Sequence, residues 1–186
     1  NAGDEAMLAA MIEVLSELDP KLHIMVISAD PEDTRQRHGV EAIPWLSVGA
    51  IWSAVRKADL LISGGGSLLQ NVTSGRSLYY YLSVILLARM AGTPVMLYAQ
   101  GIGPVCGGFA RWLMTAISRR VARITVRDYG SLEELRSLNI TRPPSEVTAD
   151  PVLAIHPVDR GIGRAILTKY KAAGAKPVVG ISVREW

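Results

Sequence analysis

Leu60-Leu61-Ile62-Ser63-Gly64-Gly65-Gly66-Ser67 and, after the segment Ser77–Ala91, Val95-Met96-Leu97-Tyr98-Ala99-Gln100-Gly101 decide the fold. Each is a short apolar run that ends in glycine. The segment between them has helical composition and stops at Gly92 and Pro94, residues that end helices. Neither run alternates polar with apolar, so each predicts a strand covered on both faces. Strand, helix, strand in that order predicts a parallel pair joined by a right-handed crossover.

The pattern repeats outward. Toward the C-terminus come a helix over Phe109–Ala122, a strand over Ile124–Arg127, and a short helix over Ser131–Leu138 capped by Ser131. A short strand over Glu146–Thr148 ends at the turn Thr148-Ala149-Asp150-Pro151. Toward the N-terminus come a helix over Ser47–Lys57, a short helix opened by Asp30-Pro31-Glu32, and a strand over His23–Ser28. Before them Met7, Leu8, Met11, Ile12, Leu15 and Leu18 keep helical spacing. The class is α/β, an open parallel sheet with helices on both faces. Residues 1–158 are expected to form one domain that lacks its first strand, because Gly3 and Asp4 read as a loop feeding a helix. Residues 159–186 are expected to hold a connector helix, Gly161–Ala173, and the first strand of a truncated second domain, Val178–Arg184.

Composition narrows the function. With 186 residues, 49% hydrophobic and a mean hydropathy of +0.22, the chain can bury a sizeable core. A net charge of +3 without a basic stripe of interleaved aromatics argues against nucleic acid. One cysteine, Cys106, and three scattered histidines, His23, His38 and His156, argue against a disulfide framework, a metal centre and a thiol nucleophile. The greasiest run, Leu82–Ala88, is too short for a membrane span. No signal peptide is recognisable, so the cytoplasm is the expected compartment. Arg111, Arg119, Arg120 and Arg123 lie along and after one helix. They read as a solvated face, with peripheral attraction to the inner face of the plasma membrane as the sharper alternative.

Sheets of this class carry their sites at the carboxyl ends of the strands. Gly64, Gly65, Gly66 and Ser67 follow one such end. They make either a tight turn or, if a helix follows, a cradle for an anion. They fit neither a dinucleotide fingerprint nor a P-loop. Gln100 could orient a hydroxyl-rich ligand, with Gly101 and Gly103 leaving room beside it, or the segment is simply a strand exit. Arg127 suits a phosphate or carboxylate, unless it pairs with Asp128. Arg184, at the end of the last strand, would be a second cation facing an interdomain cleft. Asp4 is the acid–base candidate, its alternative being a helix cap.

Six segments in this order resemble the polysaccharide pyruvyl transferase family, with the CsaB-type cell-wall pyruvyltransferases the nearest match. They are Asn1–Ala6, Leu61–Gln70 with Ser77–Tyr81, Met96–Pro104, Ile124–Asp128, Val147–Pro151 and Gly180–Trp186. The family's usual Gly-Tyr-Tyr-Gly segment is absent, and Asn71 stands where the CsaB type often has Asp. The resemblance implies a Rossmann-like domain similar to the N-terminal half of a GT-B fold. It implies transfer of the pyruvyl group of phosphoenolpyruvate to a sugar, closing a cyclic ketal across two hydroxyls. For the CsaB type the acceptor is a lipid-linked, N-acetylmannosamine-containing cell-wall precursor, whose product anchors S-layer proteins. Under it Asp4 would be base or acceptor orienter, and Arg127 and Arg184 would hold the donor anion. The Gly64–Ser67 and Gln100–Gly103 loops would shape the acceptor side. The acid would come from the missing half, so the fragment alone is expected to be inactive. No metal or redox cofactor is called for, and the oligomeric state stays open. The rivals are a GT-B-like glycosyltransferase using a nucleotide sugar and a non-catalytic sugar- or nucleotide-binding module.

Overall fold

The computed structural model describes residues 2–72, 75–156, 159–172, 174, 179 and 181. It divides into two compact units, Asn1–Ile155 and His156–Trp186. In the first unit four strands, β3 (Leu61–Gly64), β4 (Val95–Gln100), β5 (Arg123–Val126) and β6 (Ser145–Val147), form a parallel sheet in the order β3-β4-β5-β6. The crossovers are α4 (Gly75–Met90), α5 (Gly108–Ser118) and α6 (Tyr129–Ser137). A second parallel pair, β1 (Met25–Ser28) and β2 (Glu41–Pro44), is joined by α2 (Pro31–His38). The expected α/β class and parallel pairing are present. The described strands form two sheets where one was expected, but Ile27 of β1, Ile43 of β2 and Leu61 of β3 all pack against one core.

That core is built on the central strands. Val95, Leu97, Ile124 and Val126 are buried, and α4 lays Leu78, Leu82, Ile85 and Ala88 over them at helical spacing. Met114 and Ile117 of α5 and Leu135 of α6 complete it. Each such aliphatic side chain contributes about 1.5–3 kcal/mol by leaving water. The rigid centre of the sheet is what holds the strand ends in place.

Several boundaries differ from the sequence reading. Asp4 is not in a loop: α1 runs Ala2–Leu18, with Asp4 and Glu5 in its first turn, where carboxylates suit the helix dipole. The helix expected over Phe109–Ala122 stops at Ser118, because the Ala122 N–H donates to Val95 O at 2.7 Å and so begins the β4–β5 ladder. Asp128, not Ser131, caps α6. β2 was not expected; its Glu-Ala-Ile-Pro offers no apolar run, and it is recruited by pairing with β1 and by Arg35 Nη1 donating to Ala42 O at 2.9 Å. The Asp150-Pro151 corner opens a 3-10 turn, Pro151–Ala154. α3 (Val48–Lys57) starts where expected, capped by Ser47.

In the second unit α7 (Arg160–Lys169) is capped by Asp159, which accepts from the Gly161 N–H at 2.9 Å, and buries none of its side chains. The expected strand Val178–Arg184, apart from Val179 and Ile181, lies outside the described residues, and Arg184 with it.

Candidate functional site

The site begins with a break in the β4–β5 ladder. The register shifts between Leu97 and Gln100, and Ala99 takes φ +45° although it is not glycine. A bulge of this kind re-aims the residue after it. The Ala99 N–H, displaced from the ladder, donates to Thr125 Oγ1 at 2.7 Å. Gln100 is thereby fully buried, and its Nε2 faces the carbonyls of Gly66 at 3.2 Å, Gly101 at 3.4 Å and Gly65 at 3.5 Å. Those three oxygens fix the amide's orientation, since only its N–H₂ edge can meet them. Among the described residues Gln100 Oε1 has no partner. A buried acceptor without a donor is unusual, and this one suits a hydroxyl or an ordered water.

The glycine loop is held from both sides. Gly65 and Gly66 take φ +72° and +63°. The Gly65 N–H donates to Tyr98 O at 3.1 Å, the Gly66 N–H points at Met7 Sδ at 3.0 Å, and Gly66 O accepts from the Gly101 N–H at 2.8 Å. Two of the N–H groups that an anion cradle would present are therefore engaged internally. No helix follows the loop directly either, because α4 starts at Gly75. The anion-cradle expectation gives way to a shaped turn. A Cβ on Gly64 would lie 2.8 Å from the Met11 side chain and 3.2 Å from Tyr98 O, so helix α1 packs directly on this strand end.

Arg127 leaves the end of β5 and bridges the loops. Its Nη2 donates to Ser67 Oγ at 2.9 Å and its Nη1 to Asp150 Oδ2 at 3.0 Å, while Nε lies 3.5 Å from Asp128 Oδ2. The pairing with Asp128 that competed with a ligand role is thus real, and Asp150 is a second acidic partner. Arg127 keeps 30% of its side chain exposed. It lines a cavity of about 290 Å³ with Ser67, Gly101, Gly103, Asp128, Ser131 and Glu134. One guanidinium faces two carboxylates there.

The far wall is braced. Ser131 Oγ accepts from the Ile102 N–H at 2.9 Å, and Glu134 accepts from the Val105 N–H at 3.1 Å. Asn71 exchanges two hydrogen bonds with Cys106, at 2.7 and 2.8 Å, which staples the glycine loop's exit to the Gln100–Cys106 segment. A Cβ on Gly103 would lie 2.8 Å from Gln70 Cβ, so the two loops touch. The Asp128 carboxyl is held below the usual range, chiefly by the Ser131 backbone N–H and further by the Arg127 charge.

Polysaccharide pyruvyl transferases are described by a family model that matches residues 1–182. The chain belongs to that family. Neither a curated protein nor a solved structure matches it. Membership makes the protein a transferase of polysaccharide pyruvylation.

Of the residues expected in this family's site, the structure gathers Ser67, Gln100, Gly101, Gly103 and Arg127 at neighbouring strand ends, with Gly64, Gly65 and Gly66 beside them. Asp4 does not line the cavity. It is exposed on α1, its Oδ1 4.0 Å from where a Cβ on Gly66 would sit. Its charge also reaches Tyr81, whose phenol is pushed up first by burial and then by Asp4. Ser131, Glu134 and Asp150 were missed as site residues. Ser131 was read only as a helix cap and Glu134 only as part of that helix, and no local pattern marks a carboxylate that meets Arg127 from 23 residues away.

Proposed function

We propose that the protein transfers the pyruvyl group of phosphoenolpyruvate to a saccharide, and that the described cavity receives the saccharide with Arg127 between it and the donor. The observation that carries this is the placement of Arg127, tied to Ser67 and Asp150 but still open on the cavity. Sugar hydroxyls need acceptors as well as donors, and Asp128 and Glu134 supply acceptors beside one guanidinium. The same balance is too acidic to hold a multiply charged donor by itself. The donor anion therefore calls for further cations, with Arg184 as the first candidate.

One sugar hydroxyl adds to C2 of phosphoenolpyruvate and gives up its proton, while the methylene gains a proton and becomes methyl. The C2–O bond to phosphate breaks as positive charge develops at C2. The second hydroxyl bonds to C2, and its proton leaves with the phosphate. The net change is one phosphoenolpyruvate and two hydroxyls to one ketal and one phosphate. Arg127 offsets negative charge on the departing phosphate, and Asp4, which stands outside the cavity beside Gly66, serves as base only for a hydroxyl that extends past the glycine loop. The acceptor is a lipid-linked cell-wall saccharide containing N-acetylmannosamine.

A melting experiment on the intact protein separates this reading from a nucleotide-sugar glycosyltransferase. Phosphoenolpyruvate should raise the Tm and UDP-sugars should not. Protection by a UDP-sugar alone would favour the glycosyltransferase.

A further inference from the structure

Between Asp59 and Asp128 the chain has no Asp or Glu and seven arginines, from Arg76 to Arg127; all seventeen acidic residues lie outside that stretch. The stretch builds β3, α4, β4, α5 and β5, and its two helices pack against each other. Their outer face is aromatic. Phe109 and Trp112 of α5 are 65% and 62% exposed, and their rings stack at 5.8 Å. The Tyr79 ring of α4 lies 6.2 Å from Phe109, so the strip crosses from one helix to the other. Leu86 and Met90 continue it along α4, about two and three turns beyond Tyr79.

Basic groups adjoin the strip. Trp112 and Arg119 line one shallow depression of about 280 Å³. Arg119 donates to Asn139 O at 2.7 Å and Arg120 to Ala116 O at 2.9 Å. Carbonyl partners orient a guanidinium without neutralising it, and among the described residues no salt bridge to a carboxylate involves either arginine. Arg111 and Arg123, by contrast, are answered by Glu134 and Glu146.

We propose that this α4–α5 face docks the protein on an anionic phospholipid surface, with Phe109 and Trp112 entering the boundary between headgroups and acyl chains and Arg119 and Arg120 meeting lipid phosphates. Aromatic rings beside unneutralised cations match that boundary on both counts. A second copy of the chain matches it worse, because an isologous interface would bring this cationic stretch to both sides with no Asp or Glu of its own to answer it. No helix among the described residues is long and apolar enough to cross a membrane, so attachment of this kind is superficial. The inference needs neither donor nor acceptor and stands apart from the reaction proposed above.

The test is co-sedimentation of the intact protein with phosphatidylcholine vesicles, with and without a phosphatidylglycerol fraction of about 30%. Binding is expected only to the anionic vesicles and should fall as salt rises. The pairs Phe109→Ser/Trp112→Ser and Arg119→Gln/Arg120→Gln should each weaken it roughly tenfold or more, leaving turnover of a water-soluble acceptor unchanged. Equal binding to neutral vesicles, no binding, or binding indifferent to both pairs would overturn the proposal. So would a dimer that the aromatic pair converts to monomer without any vesicle binding. Vesicle binding without pyruvyl transfer would leave the docking surface standing and remove the reaction.

Discussion

Arg127 Nη2 and Ser67 Oγ meet at 2.9 Å across 60 residues of sequence, and the bond passes directly over Gly101. A Cβ on Gly101 would lie 2.9 Å from Arg127 Nε, 2.9 Å from Ser67 Oγ and 2.8 Å from Gly66 O. The glycine is required by that crossing, not by its backbone angle. Gly101→Ala should cost about 1–3 kcal/mol in stability, because a backbone carbonyl cannot give way. It should also lower turnover more than Gly108→Ala, where a Cβ meets open space. Denaturant unfolding and turnover of the two variants check this.

Gln100 should tolerate no change of charge. Gln100→Glu puts a carboxylate against three carbonyl oxygens in a site with no exposure. The expected loss is at least ~3 kcal/mol, well beyond that of Gln100→Met, which removes the amide but keeps the volume. Chemical denaturation of both variants gives the comparison.

The parts of the fold that could be read from sequence are those with long-range consequences but local signals. The β3–β5 runs, the α4 stripe Leu78, Leu82, Ile85 and the glycine stops all announce themselves within a few residues. β2 does not, because Glu41–Pro44 is a strand only by virtue of pairing with β1. The site divides in the same way. Gln100 and Arg127 are legible as polar residues at strand ends, whereas the bulge that buries Gln100 depends on Thr125 of the next strand. Asp150 becomes a site residue only when β5 and β6 lie side by side. The cap assignment at Ser131 failed because α6 starts earlier, at Tyr129, and Asp128 accepts from the N–H of Ser131 itself.

Ala99 should show the cost of that bulge. Its φ of +45° is disfavoured for any residue with a Cβ, and most strongly for a β-branched one. Ala99→Gly trades relief of that strain against lost burial of a methyl and added chain entropy, so stability should stay within about 0.5–1 kcal/mol of the parent. Ala99→Val should cost at least ~2 kcal/mol. Thermal unfolding of the two variants, compared with the parent, decides it.

Asp128 should make stability acid-sensitive. Its carboxyl is depressed in the folded state, so its contribution is present in full above the unfolded value near 4 and is lost as pH falls through the lower folded value. Asp128→Ala should cost about 0.5–2 kcal/mol at neutral pH, as loss of a helix N-cap does. The gap between parent and variant should narrow below about pH 4. Urea unfolding at neutral pH and at pH near 3 tests both the size and the sign.

Phosphate release from phosphoenolpyruvate by the intact protein, with an N-acetylmannosamine-containing acceptor, tests the account most directly when Arg127→Ala is run beside the parent. The parent should release phosphate in step with ketal formation, and Arg127→Ala should lose roughly 100-fold or more in kcat/KM while remaining folded. Undiminished turnover by a folded Arg127→Ala, or phosphate released with no ketal formed, would contradict it.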